Sequence, residues 1–291
     1  MKLAICNETY QGWGWSEACR KTSELGYQGI EIAPYTLADD VRNLNQRARL
    51  HLRRCAEQVG LEVAGLHWLL VSPKGLSLTS ADKEKRETTG EYLVSLVDFC
   101  YDLGGHIMVL GSPNQRRLSE ASSWDEAAER LVQAIRPALD RALSRDITIC
   151  LEPLPAPEAD FINKLDEALK VIQITQHPAL KTILDVKSAC SESKSIPELI
   201  AQHGPLIAHC HANDANRRGP GFGETDFVPI MQALGSIHYG GFVSVEVFDY
   251  SPDPETIARE SLLTLCHALV SVGGQMMIGG AAKSTCGGKY V

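Results

Sequence analysis

ITICLEPLPAPEADFINKLDEALKVIQITQHPALKTILDV, residues 147–186, decides the fold. It opens on a short apolar run, ITICLEP (147–153), passes through LDEALKVIQITQ, which is apolar at helical period, and closes on a second short apolar run, LKTILDV (180–186). Strand, helix and strand in that order make one βα unit that returns to a parallel sheet. The alternation extends both ways. KLAIC (2–6), GIEIA (29–33), EVAGLH (62–67) and HIMVLG (106–111) precede it, and LIAHCHA (206–212) and FVSVEVF (242–248) follow, giving eight strand candidates. Between them lie SEACRKTSELG, with Ser16 expected as its cap, ADKEKRETTGEYLVSLVDFCYDLG and SWDEAAERLVQAIRPALDRALS, all helix-like.

Eight units in about 270 residues predict an α/β fold, a single-domain (β/α)8 TIM barrel; an open doubly wound sheet usually stops at five or six strands and carries a glycine fingerprint in its first turn. The first turn here, NETYQGWGWS, has Gly12 and Gly14 but no third glycine, so both are read as loop glycines. The barrel is assigned to residues 1–270 and a glycine-rich C-terminal tail to 271–291.

Composition narrows the function. With 44% hydrophobic and 22% charged residues among 291, the chain can bury a core without help from disulfides or metal. The 28 basic and 36 acidic residues leave a net charge of −8, which argues against nucleic acid as a partner. Nine cysteines, odd in number and without a CxxC pair, read as buried reduced thiols. No apolar run approaches a membrane span and MKLAICNETY lacks a leader's apolar core, so the expectation is a cytoplasmic protein with no membrane contact. The basic clusters HLRRC and NQRRL are read as solvated surface.

In a barrel the active site lies at the carboxyl ends of the strands, so polar residues that interrupt apolar strands near those ends carry the information. Four qualify: Glu152 in ICLEP, Asp185 in TILDV, His211 in AHCHAND and Glu246 in SVEVF. They are 33, 26 and 35 residues apart, each close to one βα unit, so strands five to eight would deliver one metal ligand apiece to the same rim. Three carboxylates and one imidazole suit Mn²⁺, with Mg²⁺ or Co²⁺ as alternatives, one ion per subunit. A divalent cation chelating a carbonyl and the adjacent hydroxyl acidifies the carbon between them and stabilises the cis-enediolate formed on proton loss. Glu152 and Glu246, facing each other across the metal, are the candidate catalytic acid and base. Alternation puts His209 on the same face as His211, as a group behind the ligands or against substrate. His67, ending the third strand, is read as a pocket residue, and Glu31 in GIEIA as half of an internal ion pair. Trp13 and Trp15 in the first loop would stack on a sugar or form a subunit contact.

These motifs resemble the xylose isomerase-like TIM-barrel superfamily of sugar phosphate isomerases and epimerases, and within it the ketose 3-epimerase branch of the D-tagatose and D-psicose enzymes. The likeness spans about residues 1–270 and is densest from Ile147 to Tyr250. It implies that Glu152, Asp185, His211 and Glu246 bind the metal and that both glutamates exchange protons with substrate. LEPLPAPEADFIN and HCHANDANRRGPG resemble family segments that contact substrate, which implies Glu158 and Arg217. LDVKSAC carries Ser188 where the family's D-x-x-H pattern has histidine; Ser188 can donate one hydrogen bond but cannot ionise.

The expected function is therefore a divalent-metal-dependent isomerase or epimerase of a small keto-sugar or related polyol ketone. A dehydratase or lyase on a keto-sugar or cyclitol, using the same enediolate, is the alternative. An abasic-site endonuclease conflicts with the net charge, and a silent sugar-binding barrel would bind without turnover. The expected partner is a small-molecule carbohydrate, and the expected assembly a homodimer or homotetramer.

Overall fold

Each of the eight apolar runs forms a parallel strand: β1 (Lys2–Cys6), β2 (Gly29–Ile32), β3 (Glu62–Leu66), β4 (Ile107–Leu110), β5 (Thr148–Leu151), β6 (Leu180–Asp185), β7 (Ile207–Ala212) and β8 (Phe242–Val245). The structure, a computed structural model, describes residues 1–271 and residue 273. The strands pair in sequence order and close into a barrel, with β8 returning to β1 through Lys2↔Phe242 to Ile5↔Val245. The helices α1 (Trp15–Leu25), α2 (Gln46–Gln58), α3 (Lys83–Leu103), α4 (Trp124–Ser144), α5 (Leu165–Thr175), α6 (Val186–Ala189), α7 (Ile196–His203), α8 (Phe227–Ser236) and α9 (Pro254–Ser271) lie between and after the strands.

Local chemistry sets the helix ends. Asp82 accepts from the Glu84 and Lys85 amides at the start of α3, and Ser123 accepts from Glu126 at the start of α4. Gly104 ends α3 in the left-handed conformation. The expected Ser16 cap is not formed: α1 starts two residues earlier, at Trp15 behind Gly14, and Ser16 Oγ lies 3.3 Å from Cys55 Sγ instead. Gly90 brings α3 against α4, since a Cβ there would stand 2.4 Å from the Ala134 carbonyl oxygen.

Inside the barrel Val109, Cys150 and Ile183 form an apolar cluster. Glu31 on β2 and His209 and His211 on β7 are also fully buried. Register matters here: Asp185 lies directly beside His211, and Ala212 beside Val245, so Glu246 follows at the rim. Of the eight described cysteines six are buried, Cys55 is half-buried and Cys190 is exposed, where burial was expected. The predicted tail lies outside the described residues apart from Ser271, which closes α9, and Gly273. No helix among the described residues is long and apolar enough to cross a membrane.

Candidate metal and active site

Glu152, Asp185, His211 and Glu246 converge at the carboxyl ends of β5 to β8, all buried, with one ligand atom from each within 4.8 Å of the others. The backbone carries the two glutamates past the strand ends without losing the ladder: Glu152 N bonds Leu110 O at 3.1 Å and Glu246 N bonds Ala212 O at 3.3 Å. The orientation of His211 is informative. Its Nε2 lies 3.2 Å from Glu31 Oε1, and its Nδ1 lies 3.1 Å from Glu246 Oε2 and 3.7 Å from Glu152 Oε1, aligned as a hydrogen bond to neither. With a hydrogen on Nε2 toward Glu31, the Nδ1 lone pair faces the carboxylates. A buried imidazole nitrogen left over beside three carboxylates fits a divalent cation, and the hard oxygen majority fits Mn²⁺, Mg²⁺ or Co²⁺.

Neighbouring groups hold these side chains in place. Asp185 accepts from the Ser188 amide at 2.7 Å and from Asn213 Nδ2 at 2.6 Å, and the same amide group reaches Glu246 Oε2 at 3.4 Å. Glu246 Oε1 takes Trp68 Nε1 at 2.9 Å and His67 Nδ1 at 3.2 Å, while His67 Nε2 meets Glu8 Oε2 at 2.9 Å. Behind Glu152, Gly111 has no side chain because none fits: a Cβ there would stand 2.1 Å from Glu152 Oε2. Beneath His211, Glu31 also holds His209 Nε2 at 2.8 Å.

The charges follow from burial and pairing. Burial opposes ionisation of Glu31, but His209 and His211 outweigh it and hold that carboxyl well below the usual range. Burial likewise opposes charge on Glu246, and His211 and His67 outweigh it. Glu152 goes the other way, raised by burial and by Glu246 and Asp185 nearby. Burial disfavours charge on His67, yet Glu8 and Glu246 bring it up to about 10. Burial also pushes the Glu8 carboxyl up, and His67 pulls it partly back. Burial works against a proton on His211 too, but Glu246 and Glu31 retain it strongly; a cation among the carboxylates would do the same neutralising work and displace it.

The other predicted residues fall into distinct positions. His67 is buried against Glu246 as described, and His209 is fully buried below the rim. Ser188 lends its amide to Asp185, and its own buried hydroxyl has no partner. Glu158 is half-buried and binds Lys187 Nζ through both oxygens at 2.9 Å. The Lys187 ammonium also lies 4.9 Å from the centre of the Phe248 ring, and the exposed Arg217 guanidinium lies 5.4 Å from that same ring. Glu31 forms the internal ion pair expected of it. Trp15 is held by the fold, its Nε1 donating to Leu52 O at 2.8 Å.

Sequence reading missed four residues. Asn213 was findable, since it continues the inward alternation of His209 and His211. Glu8 and Lys187 had no local signal. Arg116 corrects an expectation: NQRRL was read as solvated, yet Arg116 is fully buried, its guanidinium donating to the carbonyls of Gly111 (2.5 Å), Glu152 (2.7 Å) and Phe161 (3.0 Å).

Comparison with known proteins follows this geometry. The family model described as a xylose isomerase-like TIM barrel matches residues 19–267. The chain is 27% identical over 232 residues to a D-psicose 3-epimerase of Ruminiclostridium cellulolyticum, covering 78% of this chain and 76% of that one. It is 21% identical over 273 residues to a 3-dehydro-D-guloside 4-epimerase of Escherichia coli, covering 91% and 99%. In three dimensions it resembles the crystal structure of D-psicose 3-epimerase with D-tagatose from Clostridium cellulolyticum, with a TM-score of 0.80 at 22% identity over 94% of this chain and 99% of that one.

Proposed function

The chain belongs to the xylose isomerase-like TIM barrel family, and from that premise we propose that it is a divalent-metal-dependent epimerase or isomerase of a small keto-sugar, closest in chemistry to the ketose 3-epimerases. The observation that carries the reading is the buried quartet of Glu152, Asp185, His211 and Glu246, with the unpartnered His211 Nδ1 among the carboxylates. Those four side chains would hold the ion. When bound, a divalent cation supplies the positive charge that acidifies the carbon next to a carbonyl and stabilises the resulting enediolate.

The chain's own groups account for the rest. Glu152 and Glu246, from β5 and β8, serve as the pair that removes a proton from one face of the substrate carbon and returns one to the other. His67 and Trp68 fix the Glu246 carboxylate through Oε1 and leave Oε2 toward the centre. Gly111 and Arg116 fix Glu152 from behind. Of the two roles open to His209, support of Glu31 beneath His211 is the one its burial favours. Glu158, with Lys187 held on it, and Arg217 are the groups we assign to substrate hydroxyls; Ser188 contributes its unpartnered hydroxyl.

The test is α-proton exchange in D₂O by purified, manganese-loaded protein across a panel of ketoses and 3-keto-glycosides. Exchange with at least one, abolished by Glu246→Gln with the fold intact, is the expected result. No exchange with any of them sinks the reading, and an ultraviolet-absorbing enone in place of exchange points to a dehydratase or lyase.

A further inference from the structure

Beside the quartet stands a second group of metal-ligating side chains, Glu8, His67 and Glu246, all buried, with one ligand atom from each within 4.8 Å of the others. It shares Glu246 with the quartet, and the two Glu246 oxygens face different neighbours. Oε2 lies 3.1 Å from His211 Nδ1, and Oε1 lies 3.2 Å from His67 Nδ1. A carboxylate so placed can hold one cation on each oxygen. His67 in turn lies between two carboxylates, its Nε2 2.9 Å from Glu8 Oε2. A neutral imidazole has one N–H and one lone pair, so it donates to one carboxylate and turns its lone pair to the other, where a cation, either a proton or a metal ion, is needed. A proton there serves Glu8 Oε2 alone. Glu8 is 2% exposed and its Oε1 has no partner, and a divalent ion engages both oxygens of a carboxylate together with the imidazole lone pair. His67 also belongs to a buried group with Cys6, Glu31 and His211, but there both Glu31 oxygens are already taken, by His209 and His211, and none is left over.

We propose that Glu8, His67 and Glu246 form a second divalent-cation site, joined to the ion of the quartet through the Glu246 carboxylate. Two carboxylates and one imidazole have the same hard, oxygen-rich character as the quartet, so the second site takes the same class of ion, Mn²⁺ or a close relative. Three protein ligands leave coordination positions open to water or to a substrate oxygen. The inference rests on the metal-dependent reading above and adds a second ion to the one expected per subunit.

In the experiment, chelator-treated protein is titrated with Mn²⁺, the bound ions are counted after equilibrium dialysis, and the bound manganese is recorded by electron paramagnetic resonance. The wild type is expected to hold two ions per chain and to give the spectrum of an exchange-coupled pair, its hyperfine spacing half that of a single ion. Glu8→Gln is expected to keep one ion with the single-ion spectrum and to bind the other at least about 100-fold more weakly, whereas Asp185→Asn, which alters the quartet alone, weakens the quartet's ion instead. One ion per chain in the wild type, two ions without coupling, or two ions retained by Glu8→Gln overturns the proposal. If that variant does not fold, the wild-type count and spectrum decide. A single ion that is lost in Asp185→Asn refutes the second site and leaves the quartet standing. No bound ion at all refutes both, and a coupled pair without proton exchange on any sugar refutes the enzymatic reading alone.

Discussion

Replacing Gly111 by alanine tests whether the position of Glu152 is set as described. The new Cβ would stand 2.1 Å from Glu152 Oε2, against 3.4 Å for ordinary contact, so one of the two must yield by 1.3 Å. The backbone is poorly placed to give way. Arg116 grips the carbonyls of both Gly111 and Glu152, and Glu152 N is bonded to Leu110 O. The carboxylate is the freer partner, and moving it takes it out of line with Asp185, His211 and Glu246. A ligand displaced in this way lowers metal affinity by about 10–100-fold, and a reacting group displaced by about 1 Å costs about a hundredfold in rate. The overpacking itself costs about 1–3 kcal/mol of stability, small enough to leave the chain folded. Calorimetric titration with Mn²⁺ measures the first quantity and α-proton exchange in D₂O the second. Gly235→Ala, where the added Cβ meets nothing within 4 Å, is the control and is expected to match wild type in both. Wild-type manganese affinity and exchange rate in Gly111→Ala would refute the claim that Glu152 is held against Gly111.

Three further outcomes follow from the same geometry. Burial pulls the Arg116 pKa down to about 10, so its guanidinium stays charged at neutral pH; Arg116→Met leaves three carbonyls without their donor and is expected to lose about 3–5 kcal/mol in chemical denaturation, whereas a loss below about 1 kcal/mol would mean the carbonyls find other donors. Glu31→Gln removes the charge beneath His209 and His211 and is expected to weaken manganese binding about 10–100-fold, with unchanged affinity counting against a supporting role. The raised pKa of His67 gives a pH signature: a group lifted from 6.5 to about 10 stabilises the fold fully below 6.5 and loses that contribution as pH rises through about 10. Thermal denaturation of chelator-treated wild type should therefore decline over that range more steeply than that of His67→Gln, and parallel curves would contradict the pairing with Glu8 and Glu246.

The parts of this protein legible in its sequence are those that repeat locally. Each βα unit announces itself by a short apolar run followed by helical period, and a strand ends where its apolar run meets a polar residue, so Glu152, Asp185, His211 and Glu246 could be picked out one strand at a time. Even the inward alternation of β7 predicts His209 with His211, and would have extended to Asn213. Glu8, Arg116 and Lys187 carry no such mark. A charged residue in a loop is usually solvated, and nothing adjacent in the chain says that Arg116 lies under Glu152 rather than in water.

What the sequence alone determined is the architecture and the four polar residues at the strand ends, because both depend on periodicity and chain order. What only the tertiary structure decided is which inward residues share a layer. Glu31 meets His209 across 178 residues, and His67 meets Glu246 across 179, contacts created when β8 closes onto β1. Alternation says that a side chain points into the barrel, but closure and strand stagger set its height and its neighbours. Those neighbours orient the His211 ring, push the carboxyls of Glu152 and Glu246 in opposite directions from their ordinary range and leave one oxygen of Glu8 unpaired.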